Sequence, residues 1–295
     1  MSDKHSVLTR RDFVRGTVSA AVGASLIGPL GIEAAEQAAA PRSSRVILVR
    51  DDKVMGTDTK VDATIVKQML EETLTRFTGQ KKAKDAWLSL FKPTDKIGLV
   101  STKALNPTHK ELADAVQASL VEAGIPESQI VIAQGGPDKV KACTALICMP
   151  GLKAHWLTGL GTVLKNYITF SGHPSSYHGE ENAKLGEIWN LPDVKGKTKL
   201  VLVDALRPLC DKGPQPDPRY LWNYKGLIAG ADPVAVETIG LKIISEKRRA
   251  LKGEPWPLSP PPLSVEAADK VYKLGTSKME EIKLEPVGWS QDILL

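Results

Sequence analysis

Residues 96–133 read KIGLVSTKALNPTHKELADAVQASLVEAGIPESQIVIA, and this stretch decides the fold. Lys96–Ser101 is a short, nearly continuous apolar run of the kind that forms a buried strand. Thr108-His109-Lys110-Glu111 has the capping-box pattern that opens a helix. Leu112, Ala115, Val116, Ser119, Leu120 and Ala123 then recur with helical spacing, and Gly124 supplies the stop. Gln129–Ala133 (QIVIA) returns as a strand. Two buried strands joined by a helix call for a parallel pair with a right-handed crossover.

The alternation continues on both sides. Upstream lie a β-rich run, Arg45–Arg50 (RVILVR), and a helical pattern over 61–77 marked by Ile65, Val66, Met69, Leu70 and Leu74. A short helix over 85–91 follows, closed by Pro93. Downstream come an apolar strand at Ala145–Met149 stopped by Pro150-Gly151, a helix over 157–167 and a polar loop over 172–182. Lys199–Val203 reads as a central strand ending in Asp204, and a proline-rich loop spans 208–218. Leu227–Ala229 is a short strand, and Asp232-Pro233 opens a helix to about residue 245. A loop over 255–262, a helix over 265–274 and a closing strand over 282–287 complete the chain. The expected architecture is α/β, a mostly parallel central sheet with helices on both faces in three layers.

The amino terminus sets the expected location. Arg10-Arg11 precede Asp12, Phe13 and Val14, and no charge falls between Thr17 and Ile32. That is the layout of a twin-arginine export signal, read as residues 1–40. The implied partner is the twin-arginine translocase and the implied destination is the periplasm or the medium. Ala38-Ala39-Ala40 offers small residues for cleavage, whereas Pro41 disfavours it. Release and a membrane tether both stay open, although the uncharged run is short for a full span. Residues 41–295 are expected to form a single α/β domain.

Charge and cysteines narrow the function classes. The net charge is +5, and Lys4, Arg10, Arg11 and Arg15 balance Asp3, Asp12, Glu33 and Glu36, so the excess belongs to residues 41–295. It is interspersed with acids, and no nucleic-acid-binding signature is present, so no nucleic-acid partner is expected. Without a Cys-x-x-Cys, a cysteine-ligated iron–sulfur cluster is not expected within the chain. If residues 142–149 were one strand, Cys143 and Cys148 would lie about 17 Å apart on opposite faces, too far for a disulfide. All three cysteines read as buried free thiols.

Ligands of parallel sheets gather at the carboxyl ends of the strands, and three clusters fall at such ends. Lys153 and His155 follow the strand at 145–149, with Lys165-Asn166 ten residues on. Asp204 ends the strand at 199–203. Asp232 follows the strand at 227–229, where it reads equally well as an N-cap with proline at the first helical position. Lys153, Asn166, Asp204 and Asp232 are the candidate ligand- or cofactor-binding residues, and His155 and Lys165 the candidate catalytic pair. His173 and His178, with Glu180 and Glu181 nearby, are candidate metal ligands. His109, inside the capping box, reads as exposed.

Three blocks resemble the family labelled domain of unknown function 362: ALICMPGLKAHWLTGLGTVLKN (145–166), LVLVDALRPLCDKGP (200–214) and GLIAGADPVAVETIG (226–240). They are similar in order and spacing to that family's Pro–Leu–Lys–x–His, Lys–Asn, Asp–Ala–Leu and Gly–x–Asp–Pro–Val–Ala blocks. The resemblance implies frequent twin-arginine export and no assigned reaction. Where such members read Lys-Val-Asn, this chain has Val100, Ser101 and Thr102; where they read Trp-Asp-Arg, it has Ala133, Gln134 and Gly135. More locally, the spacing His155-x3-Gly159-x5-Lys165 resembles a block of lactate racemases that use a nickel-pincer nucleotide. That likeness implies a lysine tethering the cofactor and a histidine at the metal.

The expectation is an exported protein that binds a small anionic ligand or a metal-containing cofactor, with a divalent metal as one option, at the sheet's carboxyl edge. Three readings stay open: an enzyme, a non-catalytic periplasmic binding or assembly protein, and a racemase or epimerase of the nickel-pincer type.

Overall fold

Nine strands and seven α-helices form from residues 44–295, the residues described by the computed structural model. The twin-arginine run and the cleavage site before Pro41 lie outside them. In chain order the elements are β1 (Ser44–Arg50), α1 (Ala63–Thr78), α2 (Ala83–Leu90), β2 (Ile97–Ser101), α3 (Lys110–Glu122) and β3 (Ile130–Ile132). There follow α4 (Asp138–Lys141), β4 (Ala145–Met149), β5 (Gly151–His155), β6 (Gly159–Leu160), α5 (Leu185–Trp189) and β7 (Thr198–Leu209). The last are β8 (Gly226–Gly230), α6 (Pro233–Lys252), α7 (Leu263–Lys270) and β9 (Ile282–Gly288). The sheet order is β3-β2-β4-β7-β8-β1-β9, and β5 pairs with the distal part of β7.

The three layers follow from alternation along the strands. In β7, Leu200, Leu202 and Leu206 face one core with α1, α2 and α3, whereas Val201, Val203 and Ala205 face a second core with α5, α6 and α7. β4 divides likewise, Ile147 and Met149 to the first core, Leu146 and Cys148 to the second. Strands buried on both faces read as continuous apolar runs, which is why Ala145–Met149 and Lys199–Val203 were legible. No helix among the described residues is long and apolar enough to cross a membrane.

The structure corrects four details. First, β8 runs antiparallel to both neighbours, Val201 pairing with Gly230 and Ala205 with Gly226. Residues 210–225 fold back beside β7 instead of crossing over. The carboxyl end of β8 therefore lies at the opposite edge of the sheet from that of β7. Second, no helix spans 157–167; the β5–β6 hairpin and a 3-10 run, Leu164–Ser171, take its place. Third, Thr108 does not cap α3. Its hydroxyl donates to the Met149 carbonyl at 2.6 Å and accepts from the Thr102 N–H at 3.0 Å. Fourth, Cys143 precedes β4 and shares a core with Cys148 instead of facing away from it. All three cysteines are buried and free.

Asp232 sits at the edge to which β8 leads, and its work there is structural. Its carboxylate accepts from the N–H groups of Val234, Ala235 and Thr276 at 2.8, 2.9 and 3.0 Å, and from the Ser44 hydroxyl at 2.5 Å. It caps α6, with Pro233 in the first turn, and ties the chain after α7 to β1. A Cβ on Gly275 would lie 1.7 Å from an Asp232 oxygen, so only glycine lets the backbone approach so closely. Asp232→Ala is expected to cost about 2 kcal/mol, a cap plus a second buried set of donors left unmet. Urea unfolding checks this, and ligand binding by the folded variant should be unchanged.

Candidate functional site

A cleft of about 380 Å³ opens where β2 and β3 end, roofed by β5 and the 3-10 run that follows it. Ser101–Leu105 and Gln134-Gly135 form one wall. Lys153 and His155 from β5, with Lys165 and Asn166 from the 3-10 run, form the other. Among the described residues, the charged ones lining the cleft are Lys103, Lys153 and Lys165, and no Asp or Glu lines it. Such an enclosure of cations favours anions and penalises its own charged state when nothing balances it.

Lys153 is only 4% exposed. Its Nζ donates to the Asn106 carbonyl at 3.1 Å and to the Gly151 carbonyl at 3.4 Å, with the Thr102 hydroxyl at 3.5 Å. Three oxygen acceptors suit an ammonium, which has three N–H bonds, better than an amine with two. Burial pushes its pKa down to about 8, opposed by the charges of Asp204 and Glu237. Among the described residues no carboxylate forms an ion pair with it, so its charge is offered to the cleft.

Lys165 differs. It is half-buried, and its Nζ meets the Nε2 of His178 at 2.7 Å as its one hydrogen-bond partner among the described residues. Burial, then the charge of Lys153, pushes its pKa down to about 7. The His178 ring stacks on the His155 ring, centroids 5.8 Å apart. His155 Nδ1 accepts from the Leu157 N–H at 3.1 Å, so a neutral His155 carries its proton on Nε2. Burial, then Lys165, His178 and Lys153, pushes its pKa down to about 3. His155 is therefore a neutral hydrogen-bond donor, and His178 is the imidazole placed to exchange a proton with Lys165. A Cβ on Gly161 would lie 3.0 Å from that of His155, so a side chain there would displace the ring.

Residues 121–242 match the model of a family described as Domain of unknown function (DUF362). The resemblance read from the three blocks is thereby shown. The DUF362 stretch carries every candidate binding residue named from the sequence, while the wall at 100–105 lies outside it. Val100–Thr102 and Gln134-Gly135, where the resemblance read from the sequence is weakest, both line this cleft. No curated protein and no solved structure matches the chain.

Within the DUF362 stretch the structure brings Lys153, His155, Lys165 and Asn166 together, adds His178, and separates the rest. The Asn166 amide donates to the Val100 carbonyl at 2.6 Å and approaches Cys148 Sγ at 3.3 Å, fastening the 3-10 run to β2 and β4. Asp204 is buried behind the cleft. Its Oδ2 accepts from the His109 N–H at 2.6 Å and lies 2.8 Å from His109 Nδ1, and its Oδ1 accepts from the Leu206 N–H at 3.0 Å. It thus holds the N-cap residue of α3, at the helix end whose dipole favours a carboxylate. Asp232 lies at the other edge, and His173 is exposed and touches Tyr177 instead of the cleft.

The metal expectation does not fit these donors. Among the described residues no three His, Cys, Asp or Glu side chains stand where they could share an ion. Of the two stacked imidazoles, His155, which lines the cleft, has one nitrogen engaged by the backbone, and His178 has one engaged by Lys165. The lysine–histidine pair of the racemase-like spacing, His155 and Lys165, does share the cleft.

Three contributors were missed from sequence. His109 is largely buried, and the hydrogen bond and charge of Asp204 outweigh burial to raise its pKa. Glu237, fully buried on α6, accepts from the N–H groups of Val163 at 2.6 Å and Leu164 at 3.4 Å and holds the segment that carries Lys165. A lone acid inside PVAVETIG was the available signal. Gln134 donates its amide to the Ser101 carbonyl and hydroxyl, and its Oε1 is buried beside the cleft with no partner among the described residues.

Proposed function

We propose that this chain is an exported protein that binds a small organic or inorganic anion in the cleft between the ends of β2 and β3 and the β5–3-10 segment. One observation carries the reading: among the described residues three lysines and no carboxylate line the cleft, and one of those lysines is buried without an ion pair. An anion would balance that charge, and the neutral His155 Nε2–H and the Lys165 amine would direct hydrogen bonds to it. Calorimetric titration of the purified protein with oxalate, malonate, phosphate and sulfate tests this. Saturable binding of at least one is expected; heats of dilution alone for all four would refute it.

Export is the second half of the proposal, and the Arg10-Arg11 run supports it. Replacing both arginines with lysine is expected to retain the protein in the cytoplasm, as judged by cell fractionation. Undiminished export of the double variant would overturn the twin-arginine assignment.

A further inference from the structure

The two lysines of the cleft are not equivalent, and their difference gives the site a chemistry beyond holding an anion. Lys153 spends its N–H bonds on three oxygen acceptors and can only be a fixed cation. Lys165 touches one imidazole nitrogen and otherwise faces open space among the cleft's lining residues. We propose that Lys165 is a nucleophilic amine that forms an imine with a carbonyl compound carrying a carboxylate, a 2-oxo acid, whose carboxylate lies toward Lys153. The inference rests on the anion-binding reading of the same cleft and names its substrate class.

The geometry supplies each part of the step. A lysine is nucleophilic only as the free amine, and a desolvated pocket beside a second cation keeps it so. The Lys165 nitrogen attacks the carbonyl carbon, forming the C–N bond. The nitrogen gives up a proton to His178, 2.7 Å away, and the carbonyl oxygen takes one up. His155, with its proton on Nε2, is a donor for that developing oxygen. The C–O bond then breaks and the oxygen departs as water, its second proton returned through His178. Free amine, carbonyl compound and one proton give a protonated imine and water, with no change of oxidation state. The protonated imine restores a positive charge at Lys165, which the ligand's carboxylate balances.

Borohydride trapping of the full-length protein with pyruvate tests this, using intact-mass measurement and peptide mapping, with oxalate as a competitor that has no ketone. Expected is one adduct, the mass of pyruvate less one oxygen, on the peptide holding Lys165, suppressed by oxalate and absent from Lys165→Arg. The mapping on unaltered protein decides the matter even if that variant folds poorly. Oxalate binding without preferential labelling of Lys165 would overturn the imine and leave the anion site standing. Failure of pyruvate to bind would overturn the imine alone if any of the four anions binds, and both readings together if none does.

Discussion

Lys165→Met is expected to lower anion affinity about tenfold to a hundredfold, the loss of one or two hydrogen bonds to a charged partner. The same change should stabilise the ligand-free protein, by about 1 to 2 kcal/mol, because an apolar side chain of similar length replaces a buried amine held for binding. The sign of the pH dependence follows from the lysine's environment. Burial and Lys153 hold its folded pKa near 7, below that of the unfolded chain, and His155 and His178 face it without offering a negative charge. The unfolded chain therefore binds more protons between about pH 7 and the ordinary lysine range. Stability contributed through this group falls as pH drops across that window and is lowest below it. The gain from Lys165→Met should thus be larger at pH 6 than at pH 9. Titration calorimetry measures the affinity, and urea unfolding at the two pH values measures the stability. A variant that binds like the parent would place Lys165 in the scaffold.

Glu237→Ala should be the most damaging single change in the site's support, costing about 3 kcal/mol. It removes a buried carboxylate and leaves the Val163 and Leu164 N–H groups without acceptors. Those residues immediately precede Lys165, so anion affinity should fall as well. Glu237→Gln separates the causes: it keeps an oxygen for one N–H but turns an NH2 toward the other, and about half the cost should remain. Burial pushes the Glu237 pKa up to about 7. The folded chain then holds a proton that the unfolded chain releases above the ordinary carboxylate range, so this group's contribution declines as pH rises from there through about 7. Urea unfolding across that range should show a shallower decline for Glu237→Ala than for the parent.

What the sequence made legible follows from how each feature is encoded. Strands buried on both faces, such as β4 and β7, announce themselves as apolar runs, and the three-layer architecture came from their alternation with helices. The direction of β8 is not encoded that way. Gly226–Gly230 is apolar whichever way it runs, and only the return of residues 210–225 beside β7 sets its sense. Asp232 was misplaced for that reason alone, while its alternative reading as a helix cap describes its hydrogen bonds. Lys153, His155, Lys165 and Asn166 are legible together because all four fall in one short stretch, residues 153–166, that follows a single strand, β4. The pairing of His109 with Asp204 spans 95 residues, and that of Glu237 with Val163 spans 74; no local pattern reports either. His178 was read as a metal ligand because histidine near acids suggests one. Its neighbour in space is Lys165, and Glu180 and Glu181 do not line the cleft.

The central claim is that burial and the fixed charge of Lys153 hold the charge of Lys165 down until an anion restores it. The number of protons taken up on binding tests it most directly, measured by calorimetry with whichever of the four anions binds, in buffers of differing ionisation enthalpy. Near pH 8 uptake of about one proton per anion is expected, since the anion raises the pKa of the Lys165–His178 pair. Uptake should vanish well below pH 7 and shrink in Lys165→Met. Anion binding at pH 8 with no proton uptake, or with the same uptake in Lys165→Met, would contradict the account.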